Sequence, residues 1–374
     1  GVYEAVMRPL TAAAFIPALV LLLVMIMPVL RMTRPRGLLK ATFFAGVALG
    51  LATSIRVVGP FAGIMVSALV VYRGRRGSPV PLMIYWSTAG LVAYMTWPYL
   101  WGAPVERFWA SFQVMRSFAW EFPVLFRGAL YEGDSLPRYY LPFIFGVQLT
   151  LPALVLAAVG VLAAIRQGLR SPSSAAEKVM VALWILLPLT VAVVGAPAFY
   201  DNGRQYLFIL PPMFLFAALG VGFALSRIRL GEMRAGAVAL ILLPGLLGIV
   251  RLHPYEYVYY NSLVGGVRGA FRQYELDYWA TSYQVALETV NELAQLDSTV
   301  YIHGPWQNVW HLARPDLELY DPPENAFDPR EVDYIIVTTR ANADLPFHVS
   351  ARAIDQVQTE EATMSFVLEQ VGLD

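Results

Sequence analysis

The chain has 374 residues, of which 57% are hydrophobic and only 14% are charged, and its mean hydropathy is +0.54. A soluble domain carries about 25% charged residues, so this composition predicts a polytopic α-helical membrane protein rather than a large soluble core. The formal net charge is zero, which gives no indication of a nucleic-acid partner. The absence of cysteine excludes disulfides, thiolate nucleophiles and cysteine-based metal sites.

Apolar segments occupy most of residues 1–250. A membrane span needs roughly 20 apolar residues. Six segments come close to that length or exceed it, and a seventh stretch has room for two spans. The six are 9–30, 81–98, 139–165, 177–198, 204–226 and 233–250, and the double stretch is 38–72. Gly59 and Pro60 provide the break for a hairpin in the double stretch. We therefore predict a transmembrane bundle of about eight segments.

Basic residues predict the orientation of these segments. They form four clusters, at 31–40, 73–76, 166–178 and 227–234. Since cytoplasmic loops are enriched in Lys and Arg, we place all four clusters inside the cell. Three regions then lie outside: a long loop at 98–138, a short loop at 199–203 and the C-terminal region 251–374.

The outer regions carry their own structural signals. Within the long loop, residues 104–119 mix aromatic residues with arginines, which predicts an amphipathic helix in the membrane interface. In the C-terminal region, residues 283–296 have helical spacing, whereas 298–304 and 332–339 have the composition of strands. A small extracytoplasmic α/β domain is therefore predicted for residues 251–374.

Arg56 lies at the tip of the predicted hairpin. A cation at membrane depth is costly and usually faces a partner or a wet cavity. One interpretation is a contact to a lipid phosphate, whose oxygens a guanidinium binds bidentately. The other is that the side chain reaches the interface or pairs with a carboxylate.

A second group of candidates lies where one span ends outside and the next begins. Tyr200, Asp201 and Arg204 occupy this position. The carboxylate and the guanidinium form either a simple ion pair that anchors the loop, or a site in which Arg204 binds a phosphate leaving group. In the second case, Asp201 orients Arg204 or a sugar hydroxyl. Pro211 and Pro212 follow within the apolar segment and predict a kinked helix.

Residues 251–283 are dense in tyrosine, glycine and charge. Aromatic residues of this kind form belts at membrane interfaces, and they also pack on the apolar faces of sugars. Glu275 and Asp277 precede Tyr278 and Trp279. Two carboxylates can serve in acid/base catalysis, or they can cap the helix predicted to begin near Ser282. The four histidines lack the spacing of metal ligands, so no metal residue is assigned.

Several motifs, taken in order, resemble one family. They are GLATSIRVVG (50–59), TWPYLWGAPVERF (96–108), FRGALYEGDSLPRYYLP (126–142), YDNGRQYLFILPP (200–212), HPYEYVYYNSLVGG (253–266) and YELDYWATSY (274–283). Together they resemble the bacterial phospholipid-carrier-dependent glycosyltransferases, relatives of the protein O-mannosyltransferases in the GT-C superfamily. The resemblance runs from about residue 41 to 285. Two departures are Gln205, where relatives usually carry His, and the absence of Asp from residues 1–12.

The resemblance implies an inverting enzyme of the bacterial cytoplasmic membrane. Such an enzyme transfers a sugar from a polyprenyl-phosphate donor to an acceptor on the non-cytoplasmic face. The family's main acidic residue lies in the first outer loop, which we expect upstream of Gly1. No cofactor is assigned, although a divalent metal is compatible with that carboxylate. The donor-phosphate candidates are Arg56, Arg138 and Arg204. The candidates for sugar or acceptor binding are Tyr139, Tyr140, Tyr200, Asp201, Glu275, Asp277, Tyr278 and Trp279.

Two other functions stay open. A transporter or flippase for a lipid-linked sugar would also use membrane arginines and an aromatic mouth. A non-catalytic protein could instead bind glycans through its outer domain. The polar residues gather at the outer ends of the segments rather than along them, which favours chemistry at the membrane surface over transport. Identities of the sugar and the acceptor do not follow from the sequence.

Overall fold

The computed structural model describes residues 36–73, 79–116, 118, 120, 122–170, 175–195, 197–226, 228, 230–321, 328 and 331–370. The chain divides into two compact units, one formed by residues 1–118 and 172–184 and the other by residues 119–171 and 185–374. The apolar segment predicted at 9–30 lies outside the described residues.

The described part of the first unit is helical. Its helices are α1 (Arg36–Ile55), α2 (Gly59–Arg73), α3 (Val80–Thr96) and α4 (Pro104–Arg116). The predicted hairpin break is confirmed, because α1 ends at Ile55 and α2 begins at Gly59. The helix predicted at 104–119 is present as α4. An ion pair between Arg73 and Glu177 joins the end of α2 to the beginning of α7 (Ala175–Gly195).

The second unit contains the remaining apolar helices. They are α5 (Tyr140–Gln148), α6 (Leu151–Arg170), the later part of α7, α8 (Leu210–Leu225) and α9 (Gly231–Leu252). A short antiparallel hairpin of β1 (Val124–Phe126) and β2 (Ala129–Tyr131) precedes α5. Its turn places Arg127 and Gly128 at positive φ, as a two-residue hairpin turn requires.

The segment predicted as one span at 139–165 is two helices, α5 and α6. The chain is extended at Leu149, and Pro152 lies in the first turn of α6, where its missing N–H costs nothing. The Asn261 side-chain amide donates to the carbonyl oxygens of Gly146 and Leu149, each at 2.8 Å. A distant side chain therefore satisfies the carbonyl groups that the break exposes.

The predicted disruption at Pro211 and Pro212 takes the form of a junction rather than a kink. A 3₁₀ stretch, Asp201–Ile209, leads into α8, and both prolines lie in the first turn of that helix. Helices α6 and α8 then pack closely. A Cβ on Gly160 would overlap the Phe216 carbonyl oxygen, and one on Gly220 would overlap the Leu156 carbonyl oxygen. Small residues of this kind let helix backbones approach.

Among the described residues, five helices are long and apolar enough to cross a membrane. They are Gly37–Ile55, Leu151–Arg170, Ala175–Gly195, Asp201–Leu225 and Gly231–Leu252. Few side chains of α7 and α9 are buried within the protein, although both helices are strongly apolar. This is the pattern expected of helices whose outer faces contact lipid.

The C-terminal part of the second unit is a five-stranded sheet with one covering helix. The strands are β3 (Thr299–Ile302), β4 (Glu318–Tyr320), β5 (Tyr334–Thr338), β6 (Ala351–Thr359) and β7 (Ala362–Gln370). Their order is β4-β3-β5-β7-β6. Strand β3 is parallel to β4 and β5, whereas β7 is antiparallel to β5 and β6. A short helix, α10 (Gly266–Ala270), precedes this region, and α11 (Tyr283–Leu293) packs against it through buried side chains.

These elements confirm the helix predicted at 283–296 and the strands predicted at 298–304 and 332–339. The β6–β7 hairpin was not predicted. The second unit brings the carboxyl end of β5 to the loop that precedes α8, and this junction carries the candidate site.

Candidate functional site

The loop between α7 and α8 turns sharply at its polar residues. Asp201, Asn202 and Gly203 all have positive φ, between 50° and 71°. Asp, Asn and Gly are the residues that adopt this conformation most readily. The Asn202 amide donates to the carbonyl oxygen of Glu275 at 3.0 Å, which ties the loop to the 275–279 segment. The turn buries Asp201 and leaves Arg204 at the surface of the cluster.

The Asp201 carboxylate binds two arginines. One oxygen accepts a hydrogen bond from Nη2 of Arg340 at 2.7 Å, and the other pairs with Nε of Arg204 at 3.0 Å. The ion pair of the first interpretation is present, and the same contact orients Arg204, which the second interpretation also requires. Because each arginine occupies a different oxygen, the single carboxylate fixes both guanidinium groups.

Arg340 is the centre of the cluster, and it is not among the residues predicted from the sequence. Nε donates to Glu275 at 3.3 Å, and Nη1 donates to the Tyr278 carbonyl oxygen at 3.0 Å. Together with the Asp201 contact, all three nitrogens of this guanidinium have a protein acceptor. Arg340 directly follows the buried strand predicted at 332–339. Ligand sites in open α/β sheets lie at the carboxyl ends of strands, and this rule could have identified the residue.

Glu275 is fully buried in the same cluster. Its Oε2 atom has no hydrogen-bond partner among the described residues, and neither does the buried hydroxyl of Tyr140. Burial raises the pKa of the Glu275 carboxyl to about 7, although Arg340 opposes the rise. The cluster therefore contains one carboxyl group that can gain or lose a proton near neutral pH.

Aromatic rings line the two arginines. The rings of Trp120 and Tyr200 stack with centroids 4.1 Å apart and planes 4° apart. The Arg340 guanidinium lies 5.3 Å from the Trp120 centroid, and that of Arg204 lies 5.6 Å from Tyr200. Arg204 also lies 5.8 Å from the ring of Trp279. Cations at these distances are attracted to ring faces, so the aromatic rings hold both guanidinium groups in place.

Asp277 has a different environment from Glu275. Its carboxylate accepts hydrogen bonds from the backbone N–H groups of Thr281 and Ser282, at 2.8 and 3.2 Å. The hydroxyls of Ser282 and Tyr257 also donate to it. Burial raises the pKa of Asp277, and these hydrogen bonds oppose the rise. Of the two alternatives for this residue, the contacts favour stabilising the chain where α11 begins.

A second arginine–carboxylate pair joins the same two segments of the chain. Arg272 donates to the buried Asp344 at 2.7 Å through Nη1, and it also donates to Asn342 at 2.9 Å. Arg272 in the segment 272–279 thus donates to the segment 340–344, whereas Arg340 in the segment 340–344 donates to Glu275 in the segment 272–279. Each segment thus supplies one arginine and one carboxylate. We call these two contacts the reciprocal clasp.

Two of the other predicted residues, Arg138 and Tyr139, lie outside the hydrogen-bonded cluster, whereas Tyr278 takes part in it through its backbone. Arg138 and Tyr139 are exposed, and no ion pair joins Arg138 to a described residue. Tyr278 contributes its carbonyl oxygen to Arg340, and burial raises the pKa of its phenol to about 12. Arg56 belongs to the first unit, where it is exposed beyond the end of α1.

Within the described part of the chain, no group of three or more His, Asp or Glu residues is arranged to hold a metal ion. Asp201 and Glu275 are both buried, and both are engaged by arginines.

No protein-family model matches this chain. Comparisons with curated proteins and with solved structures find no match either.

Proposed function

We propose that the chain is an integral membrane glycosyltransferase of the GT-C type. In this proposal it uses a polyprenyl-phosphate-linked sugar, and Arg204 binds the donor phosphate. The five apolar helices support membrane insertion. The four basic clusters support a C-terminal region outside the cell. The sequence resemblance suggests the reaction class, and the geometry around Arg204 suggests that this residue binds the donor phosphate.

The proposal is supported mainly by the Nη atoms of Arg204, which are positioned to bind phosphate oxygens. Its Nε is paired with Asp201, whereas neither Nη atom donates a hydrogen bond to a described residue. The side chain is 36% exposed, and it lies against the rings of Tyr200 and Trp279. A guanidinium held in this way presents two parallel N–H donors, the geometry that phosphate oxygens accept bidentately. Each of the three nitrogens of Arg340, by contrast, already donates to a protein acceptor.

The proposed reaction requires stabilisation of the negative charge on the leaving phosphate. In an inverting transfer, an acceptor hydroxyl attacks the anomeric carbon while the bond from that carbon to the phosphate oxygen breaks. The phosphate leaves with the bonding electrons, and the acceptor hydroxyl loses its proton to a base. A prearranged cation stabilises the charge that develops on the leaving oxygen without reorganising. Asp201 and the aromatic rings provide that prearrangement for Arg204. The proposal assigns no residue of this chain as the base.

Donor binding and transfer in lipid nanodiscs test the proposal. We expect Arg204→Ala to weaken binding of a radiolabelled polyprenyl-phosphate sugar by roughly 100-fold, because it removes a charge-assisted contact. Arg204→Lys should restore part of the loss. The matched control is Arg268→Ala, since Arg268 is an exposed arginine of the same unit whose ion-pair partner among the described residues is the exposed Glu361.

Donor binding and transfer that Arg204→Ala leaves unchanged would overturn the phosphate role. Movement of the donor across the bilayer without transfer to any acceptor would instead support the transporter alternative.

A further inference from the structure

The carboxyl ends of β3 and β5 lie at one edge of the sheet. The two strands are parallel neighbours. The hydroxyl of Tyr283 joins their ends, because it donates to the His303 carbonyl oxygen at 2.6 Å and accepts from the Thr338 N–H at 2.9 Å. The segments that follow the two strands therefore leave from the same edge. Arg340 follows β5, and residues 303–313 follow β3.

Residues 303–313, HGPWQNVWHLA, contain no Asp, Glu, Lys or Arg. Two 3₁₀ turns, Trp306–Asn308 and Trp310–Leu312, present most of this segment to solvent. The side chain of Trp310 is 51% exposed. The exposed indole therefore offers an apolar face beside the polar side chains of a segment without charge.

This segment reaches the candidate site through Trp279. The side-chain amide of Asn308 donates to the Trp279 carbonyl oxygen at 3.3 Å. Trp279 is itself 46% exposed, and its ring lies 5.8 Å from the Arg204 guanidinium. Trp279 therefore links the arginine to the first 3₁₀ turn. We call the exposed residues of this region the neutral edge: Trp279, Gln307, Asn308, Trp310 and His311.

We propose that the neutral edge binds a neutral saccharide and is the place where a sugar-bearing acceptor lies during transfer. This inference rests on the proposed function for its role in transfer, but binding itself can be measured alone. Indole rings offer flat apolar faces to the C–H groups of a sugar ring, and their edges stay polar. The amides of Gln307 and Asn308 and the imidazole of His311 offer both donors and acceptors for hydroxyl groups.

The absence of charge selects among ligands. A nucleic acid or an anionic polymer would need several cations. No residue of the neutral edge is Lys or Arg, and of the two bordering arginines, Arg204 is paired with Asp201 and Arg314 with Asp316. A cationic peptide would need carboxylates, which the segment also lacks. A saccharide without ionised groups needs no charged partner, so the side chains of the neutral edge are sufficient to bind it. Its affinity should therefore not depend on salt concentration.

Oligosaccharide titrations of the protein in nanodiscs test this inference. The probes are tetrasaccharides of β-linked glucose, α-linked mannose and β-linked N-acetylglucosamine, followed by tryptophan fluorescence and calorimetry. We expect saturable, salt-independent binding of at least one probe. Trp310→Ala should weaken it roughly tenfold, the equivalent of one aromatic contact. Gln307→Ala, which removes an exposed amide, should weaken it as well. The matched control is Trp109→Ala, because Trp109 is 58% exposed on α4 of the other unit.

Two results would overturn the inference. One is that none of the three probes binds at millimolar concentration to a protein whose thermal unfolding is normal. The other is that brominated lipid headgroups quench Trp310, which would place the neutral edge in the membrane interface. The donor experiment with Arg204→Ala is independent of both. If oligosaccharides bind but Arg204→Ala leaves donor binding unchanged, the proposed function is wrong and the saccharide site stands. If Arg204→Ala weakens donor binding but no oligosaccharide binds, the proposed function stands and the saccharide site is wrong.

Discussion

Arg340 and Asp201 lie 139 positions apart in the sequence, and their side chains form a 2.7 Å hydrogen bond inside the second unit. Arg340 comes from the carboxyl end of a sheet strand, whereas Asp201 comes from the loop before an apolar helix. The contact therefore makes the C-terminal sheet part of the candidate site. It also distinguishes the two arginines, since every nitrogen of Arg340 donates to a protein acceptor, whereas neither Nη of Arg204 donates to a residue that the structure describes.

These different contacts predict that the two arginines contribute unequally to the stability of the protein. Arg340→Ala leaves Asp201 and Glu275 buried without a shared cation, so it should destabilise the protein by about 3–5 kcal/mol. Arg204→Ala should cost less than about 1 kcal/mol, because Arg204 is more than one-third exposed and water screens its ion pair. Chemical unfolding in detergent micelles measures both. Equal destabilisation by the two substitutions would contradict the assignment.

The apolar helices could be predicted from the sequence because their signal is local. Length and hydropathy alone located the segments that became α6 to α9. The Asp201–Arg204 pair was also local, since the two residues are three positions apart. The break at Leu149 was not local. It depends on the Asn261 amide, more than a hundred residues away, and no pattern within 139–165 reveals it.

Arg340 and the β6–β7 hairpin were missed for similar reasons. The partners of Arg340 are defined only when the sheet has formed beside the loop at 201–204. Strand β6 is irregular in its pairing with β7, with register shifts between Ala353 and Asp355 and between Val357 and Gln358. Each shift interrupts the alternation of buried and exposed side chains that predicts a strand. A strand with two such shifts does not show the expected period of two.

Glu275 should make stability depend on pH. A pKa raised from 4.5 to about 7 means that the folded protein holds a proton that the unfolded chain releases earlier. The contribution to stability is complete below about pH 4.5 and is lost as the pH rises through about 7. The change corresponds to roughly 3 kcal/mol. Thermal unfolding from about pH 5 to 8 measures it.

Glu275→Gln isolates this contribution from that of other titrating groups. The amide keeps an acceptor for Arg340 and cannot ionise, so the stability difference between variant and wild type should change across this pH range. Glu292→Gln is the control, because Glu292 is an exposed residue of α11. A constant difference between Glu275→Gln and wild type would show that Glu275 does not titrate there.

Asp277 should matter for stability and not for donor binding. Asp277→Ala removes the acceptor for two backbone N–H groups and two hydroxyls in a buried environment. Unsatisfied buried donors cost about 1–3 kcal/mol each, so we expect a loss of several kcal/mol. Asp277→Asn keeps one acceptor oxygen and should lose less. If Asp277→Asn folds normally but abolishes sugar transfer, the acid/base interpretation of this residue is correct instead.

The reciprocal clasp should show strong coupling between Arg272 and Asp344. Removing Asp344 leaves Arg272 without its carboxylate, and removing Arg272 leaves the fully buried Asp344 with the His348 imidazole, 3.2 Å away. A double-mutant cycle with alanine at both positions should give a coupling of about 1–3 kcal/mol. Arg268 and Glu361 form the control pair, since they are 2.9 Å apart but 73% and 70% exposed. Exposed pairs couple weakly. Equal coupling in both cycles would show that burial does not strengthen the clasp.

Substitution of Gly160 or Gly220 by alanine should disrupt the close packing of α6 against α8. A Cβ at Gly160 or at Gly220 would overlap a backbone carbonyl oxygen of the facing helix, and backbone cannot move aside as a side chain can. Each Gly→Ala substitution should therefore separate the helices and destabilise the protein by about 1–3 kcal/mol. It should do so although alanine favours helices by about 1 kcal/mol over glycine.

Gly222 provides the internal control for that experiment. It lies on α8 two residues after Gly220, and a Cβ there would meet no atom within 4 Å. Gly222→Ala should thus stabilise the protein or leave it unchanged, because only the helix propensity changes. Unfolding in nanodiscs compares the three variants. Helix α8 begins directly after the 3₁₀ stretch that carries Arg204, so Gly220→Ala should also weaken donor binding, whereas Gly222→Ala should not. The same stability for Gly220→Ala and Gly222→Ala would contradict a close contact between α6 and α8.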